Sequence, residues 1–183
     1  MPIANLASIM QHGILSYEAA AALPHCSVAM QPVQDRRDAK QVPQGLPLHQ
    51  YANLYFHARN PMMSARRNEA GQLCVLRVSV QVLRTHGTVI ADQNAASKYV
   101  RFLSPAQIDT LNYDRVYALD WRDDDRIAYW QKKAARCAEV LVPHVVPPQH
   151  IFGAYVYDQS LVQVVKQIAP HLDVSVDAEM FFS

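Results

Sequence analysis

The pattern of apolar and polar positions divides the chain into many short elements rather than a few long ones. Tyr51, Leu54, Tyr55 and Phe56 are aromatic or branched types that favour a pleated, half-buried surface, so they predict a strand. Pro61 closes it, because proline cannot donate to a ladder and pushes Asn60 toward an extended or turn conformation. Residues 73–83 are rich in β-branched types and predict a central strand. Shorter strands are predicted over 88–91, 115–119, 138–143, 151–157 and 174–176. Ile3, Leu6, Ile9 and Met10 share one helical face, with Gly13 as the stop. A second short helix over 17–23 ends at Pro24. Ser104-Pro105 starts a helix over 105–111. Residues 126–136 form a polar helix with Ile127, Trp130 and Ala134 on one face. Ser160-Leu-Val-Gln163 opens a last helix with a capping-box pattern. Residues 25–47 read as a loop, and the part over 31–50, with Pro32, Pro43, Gly45 and Pro47, is of a size usual for lids or disordered segments. Strands and helices do not alternate strictly, which points to an α+β fold.

Composition narrows this picture. The 183 residues suffice for one domain, 1–183, with a real core. Hydrophobic residues make up 50% and charged residues 18%, which excludes global disorder. A net charge of +1 gives no long-range pull toward nucleic acid, so any such contact must come from a local patch. Cys26, Cys74 and Cys137 form no CxxC pair and are read as reduced, buried thiols rather than a disulfide framework or zinc cluster. The eight histidines are scattered, and no metal site is expected. Nothing reads as a signal peptide or a membrane span, so a cytoplasmic protein with no membrane partner is expected.

Two residues stand out for their chemistry. Arg59 follows the aromatic strand; it is either a surface charge finishing an edge strand or a cation facing a pocket. Glu139 opens a strand otherwise made of Val140, Leu141 and Val142. A carboxylate there costs desolvation energy unless it has a partner or a task. It is either ion-paired, with Arg136 or Arg59, or a catalytic group at a strand end. Arg66-Arg67 and Lys132, Lys133 and Arg136 are candidate phosphate contacts. Tyr99, Phe102, Tyr113 and Trp121 lie among Lys98, Arg101 and Arg115, the mixture a single-stranded nucleic-acid groove uses.

Four blocks in order then resemble one family. They are Ile3-Ala-Asn-Leu6 with Ile9 and Gly13-Ile-Leu15; Tyr55-Phe-His-Ala-Arg-Asn-Pro-Met62; Ala91-Asp-Gln-Asn-Ala-Ala96; and Cys137-Ala-Glu-Val-Leu-Val142. Together with the aromatic tail from Val176 to Phe182, they resemble the DarT family of bacterial toxins, which attach ADP-ribose from NAD to a base in single-stranded DNA. The resemblance implies an ADP-ribosyltransferase-like split β-sheet with flanking helices and a cleft for NAD. It implies Arg59 and Glu139 as the catalytic pair, with Arg59 also touching NAD, and contacts to the nicotinamide end from Ser8 and Ser16. The NAD-covering element falls on the long segment before Tyr51, and the substrate-recognising loop on residues 99–139. The partners implied are single-stranded DNA and an antitoxin that hydrolyses ADP-ribosyl groups. The target base is thymine or guanine. The family carries a histidine-bearing strand before its Asn-Leu helix; here the helix begins at Ile3, and a later-than-natural start or a fragment is expected.

The chemistry suits the pair. Breaking the glycosidic bond to nicotinamide leaves positive charge on the ribose, and a nearby carboxylate stabilises it. Arginine keeps its proton at neutral pH, so Arg59 is assigned to charge-assisted hydrogen bonds to the deprotonated base or to the NAD phosphates, and Glu139 to the role of base. The competing readings are an inactive relative that binds nucleic acid or NAD, and a transferase acting on protein or RNA.

Overall fold

The computed structural model describes residues 1–182. After a 3-10 turn over Ile3–Asn5, helix α1 (Leu6–His12) ends at Gly13, whose φ of 86° suits a residue without Cβ. Strand β1 (Ile14–Leu15) leads to α2 (Tyr17–Ala20), where Ser16 Oγ accepts the Ala19 N–H at 3.2 Å. Helix α3 (Gln31–Asp38) is the first departure from expectation. The segment 31–50 is not a structureless loop, because Pro32 stands in the first helical turn, where its missing N–H costs nothing. The remainder is drawn in by a Gln41–Pro47 bridge and a 3-10 turn over Leu48–Gln50.

Strand β2 (Tyr51–Tyr55) lies where its aromatic pattern predicts it. Asn60 then caps α4 (Pro61–Ala65), accepting the N–H groups of Met62 and Met63 at 3.0 and 3.1 Å. Strand β3 (Cys74–Val78) is shorter than predicted and lies at a sheet edge rather than its centre. Ser79 Oγ accepts the Gln81 N–H and turns the chain into a 3-10 segment over Val80–Arg84. The chain continues through β4 (Val89–Ala91), β5 (Phe102–Leu103) and α5 (Tyr113–Val116). The strand predicted over 115–119 is not formed, because Asn112 caps α5 by accepting the Arg115 N–H at 3.0 Å. Helix α6 (Arg126–Ala135) follows, with Ile127 and Trp130 exposed rather than turned to the core. Strands β6 (Glu139–Pro143), β7 (Val145–Val146) and β8 (Ile151–Val156) precede α7 (Gln159–Ile168) and β9 (Asp173–Val176). The cap of α7 is Asp158, which accepts the Ser160 N–H at 2.8 Å, not Ser160.

The result is α+β with a divided sheet. One sheet has the order β2-β6-β4-β5, all antiparallel, and the other the order β3-β8-β9. β8 and β9 are parallel, so they need the crossover that α7 supplies, and α7 buries Val162 and Val165. A short β1–β7 ladder pairs Ile14 with Val146. Leu6, Cys74, Ala154, Val156 and Val165 form the core of the β3-β8-β9 half. In the other half, Val140 and Val142 face one cluster with Ala52 and Ile90, while Leu141 faces another with Val42, Leu48 and Tyr51. That alternation along β6 decides where Glu139 points. Of the three cysteines, Cys74 and Cys137 are buried as expected, but Cys26 is exposed.

Candidate active site

Side chains alternate along a strand, so Glu139 shares the face of Leu141. That face is covered by the segment carrying Val42 and Leu48 and by the turn at Ala95. Glu139 is fully buried there, at 0% exposure. A buried carboxylate is costly unless paired and hydrogen-bonded. Arg37, from α3, supplies the charge: its Nη1 lies 3.1 Å from both Oε1 and Oε2. The Ala95 N–H donates to Oε1 at 2.9 Å. The ion-pair partner of Glu139 is therefore neither Arg136 nor Arg59, as the sequence suggested, but Arg37.

Three separate stretches converge to build this site. The C-terminal end of α6 delivers Glu139 through a tight turn, in which Ala138 N–H donates to Ala135 at 2.9 Å. The turn after β4 is tied to the same helix end, since Asn94 N–H donates to the Ala134 carbonyl at 3.2 Å. Asn94 Oδ1 accepts the Ala96 N–H at 2.8 Å and so fixes the turn that aims Ala95 at Glu139. α3 then closes over the top with Arg37, itself only 6% exposed.

The buried charge is felt by its neighbours. Tyr55 stands opposite Glu139 across the β2–β6 ladder. Burial first, and the Glu139 charge second, raise its phenol above the ordinary value. The Cys137 thiol is pushed up to about 12 by burial and then by Glu139.

Arg59 lies beyond the end of β2 in a second cationic cluster. Its carbonyl accepts from Arg136 Nη2, its Nη1 donates to the Glu179 carbonyl, and its guanidinium sits 4.2 Å from the centre of the Phe182 ring. Arg136 is 1% exposed and also donates to the Val116 carbonyl at 2.5 Å. His57 Nδ1 accepts the Arg59 N–H at 3.0 Å and lies 3.2 Å from Arg136 Nη2. Two donors on Nδ1 leave the ring proton on Nε2. Burial, then the charges of Arg136 and Arg59, hold the His57 pKa below its ordinary value. Among the described residues Arg59 has no carboxylate within ion-pair distance.

Ser8 lines a cleft of about 120 Å³ together with Asn5, Ile9, Gly13, Leu23 and His25. Ser16 is 2% exposed, and its oxygen is used as the α2 cap. A larger cleft of about 380 Å³, with Ile3, Cys26, Gln72 and Leu161 in its walls, contains none of the residues around Glu139. Among the described residues no group of three or more His, Cys, Asp or Glu could hold a metal, and no helix is long and apolar enough to cross a membrane.

Arg37 is the residue that sequence reasoning missed. A signal was present: a carboxylate inside an apolar strand demands a cation, and Asp35-Arg-Arg-Asp38 is the charged run in the segment read as a loop.

The family model described as DarT, ssDNA thymidine ADP-ribosyltransferase, matches residues 1–182. A DNA ADP-ribosyl transferase from Thermus sp. (strain 2.9) is 29% identical over 91% of this chain and 83% of its own length. A DNA ADP-ribosyl transferase–DNA ADP-ribosyl glycohydrolase fusion protein from Thermosipho africanus (strain H17ap60334) is 28% identical over 98% of this chain. The chain spans about half of that relative, 47% of its length. The solved structure of Thermosipho africanus DarTG in complex with ADP-ribose superposes with a TM-score of 0.86 at 25% identity, covering 99% of this chain and 49% of that one.

Proposed function

The chain belongs to the DarT family, and from that premise we propose that it transfers ADP-ribose from NAD to thymidine in single-stranded DNA, releasing nicotinamide. The observation that carries the reading is the buried Glu139 carboxylate, held by Arg37 and the Ala95 N–H at the end of β6. An unpaired carboxylate in that position would be costly; a carboxylate fixed by three hydrogen bonds keeps its place and its aim. The charges present fit the substrate. A fixed carboxylate is the group needed where a ribose gains positive charge as its bond to nicotinamide breaks. Half-buried Arg59, with no carboxylate partner among the described residues, is a cation suited to phosphate.

In this reading Glu139 is the catalytic carboxylate and Arg37 its positioning residue; Arg59, the other member of the pair that the family resemblance implies, acts on the cofactor side, contacting a phosphate of NAD or of the DNA. Glu139 is fully buried under α3, so the substrate enters with α3 lifted; Glu139 then holds the ribose and accepts the proton that the attacking base nitrogen loses. Arg37 keeps Glu139 in place and neutralises it between turnovers. Ser8 contributes from the small cleft beside α1, and Ser16 acts through the cap that sets α2. A base in a duplex is stacked and paired, so a single strand is the cheaper substrate. The family description favours thymidine over guanine. The natural counterpart of the chain is an ADP-ribosyl hydrolase, by analogy with the fused glycohydrolase of the Thermosipho relative. Residues 1–183 serve as one catalytic domain working in the cytoplasm.

The test is transfer of label from NAD to three samples: a thymine-containing single strand, a guanine-containing strand without thymine, and no DNA. Label on the first alone, abolished by Glu139→Gln, is expected. Label on the guanine strand, binding of NAD with no transfer, or label only on protein would overturn the proposal.

A further inference from the structure

We propose that His49 is the positioning residue that holds Arg37 against Glu139, an inference that rests on the function proposed above. Helix α3 has an unusual problem of attachment. It has eight residues, and its only buried side chain is Arg37. No apolar residue of α3 is buried, and an isolated helix of this length is marginal in water. The ion pair alone would leave the helix free to pivot about Arg37.

His49 supplies the second point of attachment. Its Nε2 lies 3.1 Å from Gln34 Oε1, and its Nδ1 lies 3.4 Å from Asp38 Oδ1. Gln34, Arg37 and Asp38 fall at i, i+3 and i+4, so they share one face of α3. The imidazole therefore grips α3 on both sides of the residue that reaches Glu139. Asp38 is largely exposed, so its ionic link is screened, and the Gln34 bond is the stronger of the two. The imidazolium donates to both oxygens. In the neutral ring the Gln34 amide turns to donate instead, so the grip survives in either protonation state.

His49 is itself well fixed. Its neighbours Leu48 and Tyr51 are 0% and 2% exposed and belong to the cluster that includes Leu141. Leu48 N–H donates to the Lys40 carbonyl at 2.9 Å, which ties down the chain just after α3. On the other side the Tyr17 ring lies 4.4 Å from the imidazole, tilted by 30°. His49 thus links strand β2 and helix α2 to the face of a helix otherwise held by Arg37 and, just beyond its end, by Lys40. The consequence is functional: the group that orients the catalytic carboxylate is itself oriented by a residue that touches no reacting atom.

Two measurements test this. The first does not depend on any activity. Trypsin cleaves after Arg36 and Arg37 only when α3 detaches, and His49→Ala is expected to speed that cleavage while leaving the global melting temperature nearly unchanged. Cleavage at the wild-type rate overturns the proposal. The second is a double-mutant cycle on turnover. His49→Ala lowers kcat by about 100-fold, the scale of a misplaced catalytic group, and leaves KM for NAD little changed. In an Arg37→Ala background it causes no further loss, and His49→Gln restores part of the rate. Additive losses in the double variant overturn the proposal. If the wild-type chain shows no transfer to DNA, the proposed substrate fails, while the trypsin result still decides the role of His49.

Discussion

Arg37 and Glu139 lie 102 positions apart in the chain, and a single guanidinium nitrogen of Arg37 sits 3.1 Å from both carboxylate oxygens of Glu139. Removing one partner of a buried pair strands the other. Arg37→Ala leaves Glu139 with the Ala95 N–H as its one remaining donor, and the expected loss of stability is about 3–5 kcal/mol. Glu139→Gln keeps the shape and the Ala95 bond but leaves the buried Arg37 without a counter-charge, so it too costs stability. Its rate of transfer falls by about 100- to 1,000-fold, the scale of a lost electrostatic stabiliser. Urea unfolding and label transfer, measured on both variants, separate these effects. Equal stability of Arg37→Ala and wild type would count against the ion pair.

The two arginines call for different outcomes. Arg37 orients Glu139, whereas Arg59 has no carboxylate partner among the described residues and faces an aromatic ring and a carbonyl. Arg37→Lys is expected to lower kcat, because a flexible, strongly hydrated ammonium holds Glu139 less firmly than the guanidinium nitrogen does. Arg59→Lys is also expected to be strongly impaired, but chiefly through a raised KM for NAD or DNA. Steady-state kinetics on both variants checks the split; a normal KM in Arg59→Lys removes the phosphate role.

His57 gives the site a dependence on pH. Its folded pKa lies below the unfolded value of 6.5, because burial and the charges of Arg136 and Arg59 disfavour the imidazolium. Above 6.5 the ring is neutral in both states, and its hydrogen bonds from Arg59 and Arg136 are intact. As pH falls below 6.5 the unfolded chain takes up the proton first, so stability is lost on the acid side down to the folded pKa. His57→Asn is expected to flatten the slope of stability between roughly pH 5 and 7. Melting temperatures across that range test it, and an unchanged slope would exclude His57 as its source.

The sequence reveals some of this organisation and hides the rest for identifiable reasons. β2 and β6 are legible because an aromatic or aliphatic run reports burial directly. Glu139 is legible for the same reason, as a charge in the wrong company. Its partner is not, because the Arg37 pairing spans two elements far apart in sequence and no periodicity reports such a contact. α3 is hidden by its own composition: proline and charges look like a loop, and the helix offers no apolar face to betray it. The extent of β3 fails because β-branched content measures burial, while Ser79 ends the strand by capping the next turn.

The thiols should differ in reactivity. Burial raises the pKa of Cys74, and burial with the Glu139 charge pushes Cys137 up to about 12, so both remain protonated and shielded in the native state. Cys26 is exposed. A thiol reagent at pH 8 is expected to modify Cys26 quickly in the folded protein and all three cysteines after denaturation. Peptide mapping of the modified sites decides it; fast native labelling of Cys137 would mean that the segment leading into Glu139 opens readily.

Gly13 joins α1 to the β1–β7 ladder, at a position where the backbone tolerates little. Its φ is 86°, and a Cβ placed there would stand 2.4 Å from the Val146 carbonyl oxygen and 2.7 Å from Val145 Cγ2. The Val146 carbonyl cannot yield easily, because Val146 is fully buried and paired with Ile14. Gly13→Ala is therefore expected to destabilise the fold by about 1–3 kcal/mol through backbone strain, with the clash forcing the ladder apart. The effect should reach function as well. Gly13 and Ser8 line the same small cleft, and Ser16, just beyond β1, donates its N–H to the His144 carbonyl at 2.7 Å. Opening the ladder moves that whole wall, so on the role proposed for Ser8 the binding of NAD is expected to weaken more in Gly13→Ala than in Ser8→Ala. Calorimetric titration of both variants with NAD, alongside their unfolding curves, measures the two effects separately. A Gly13→Ala variant as stable as wild type would show that the β1–β7 ladder is not needed to hold α1 in place.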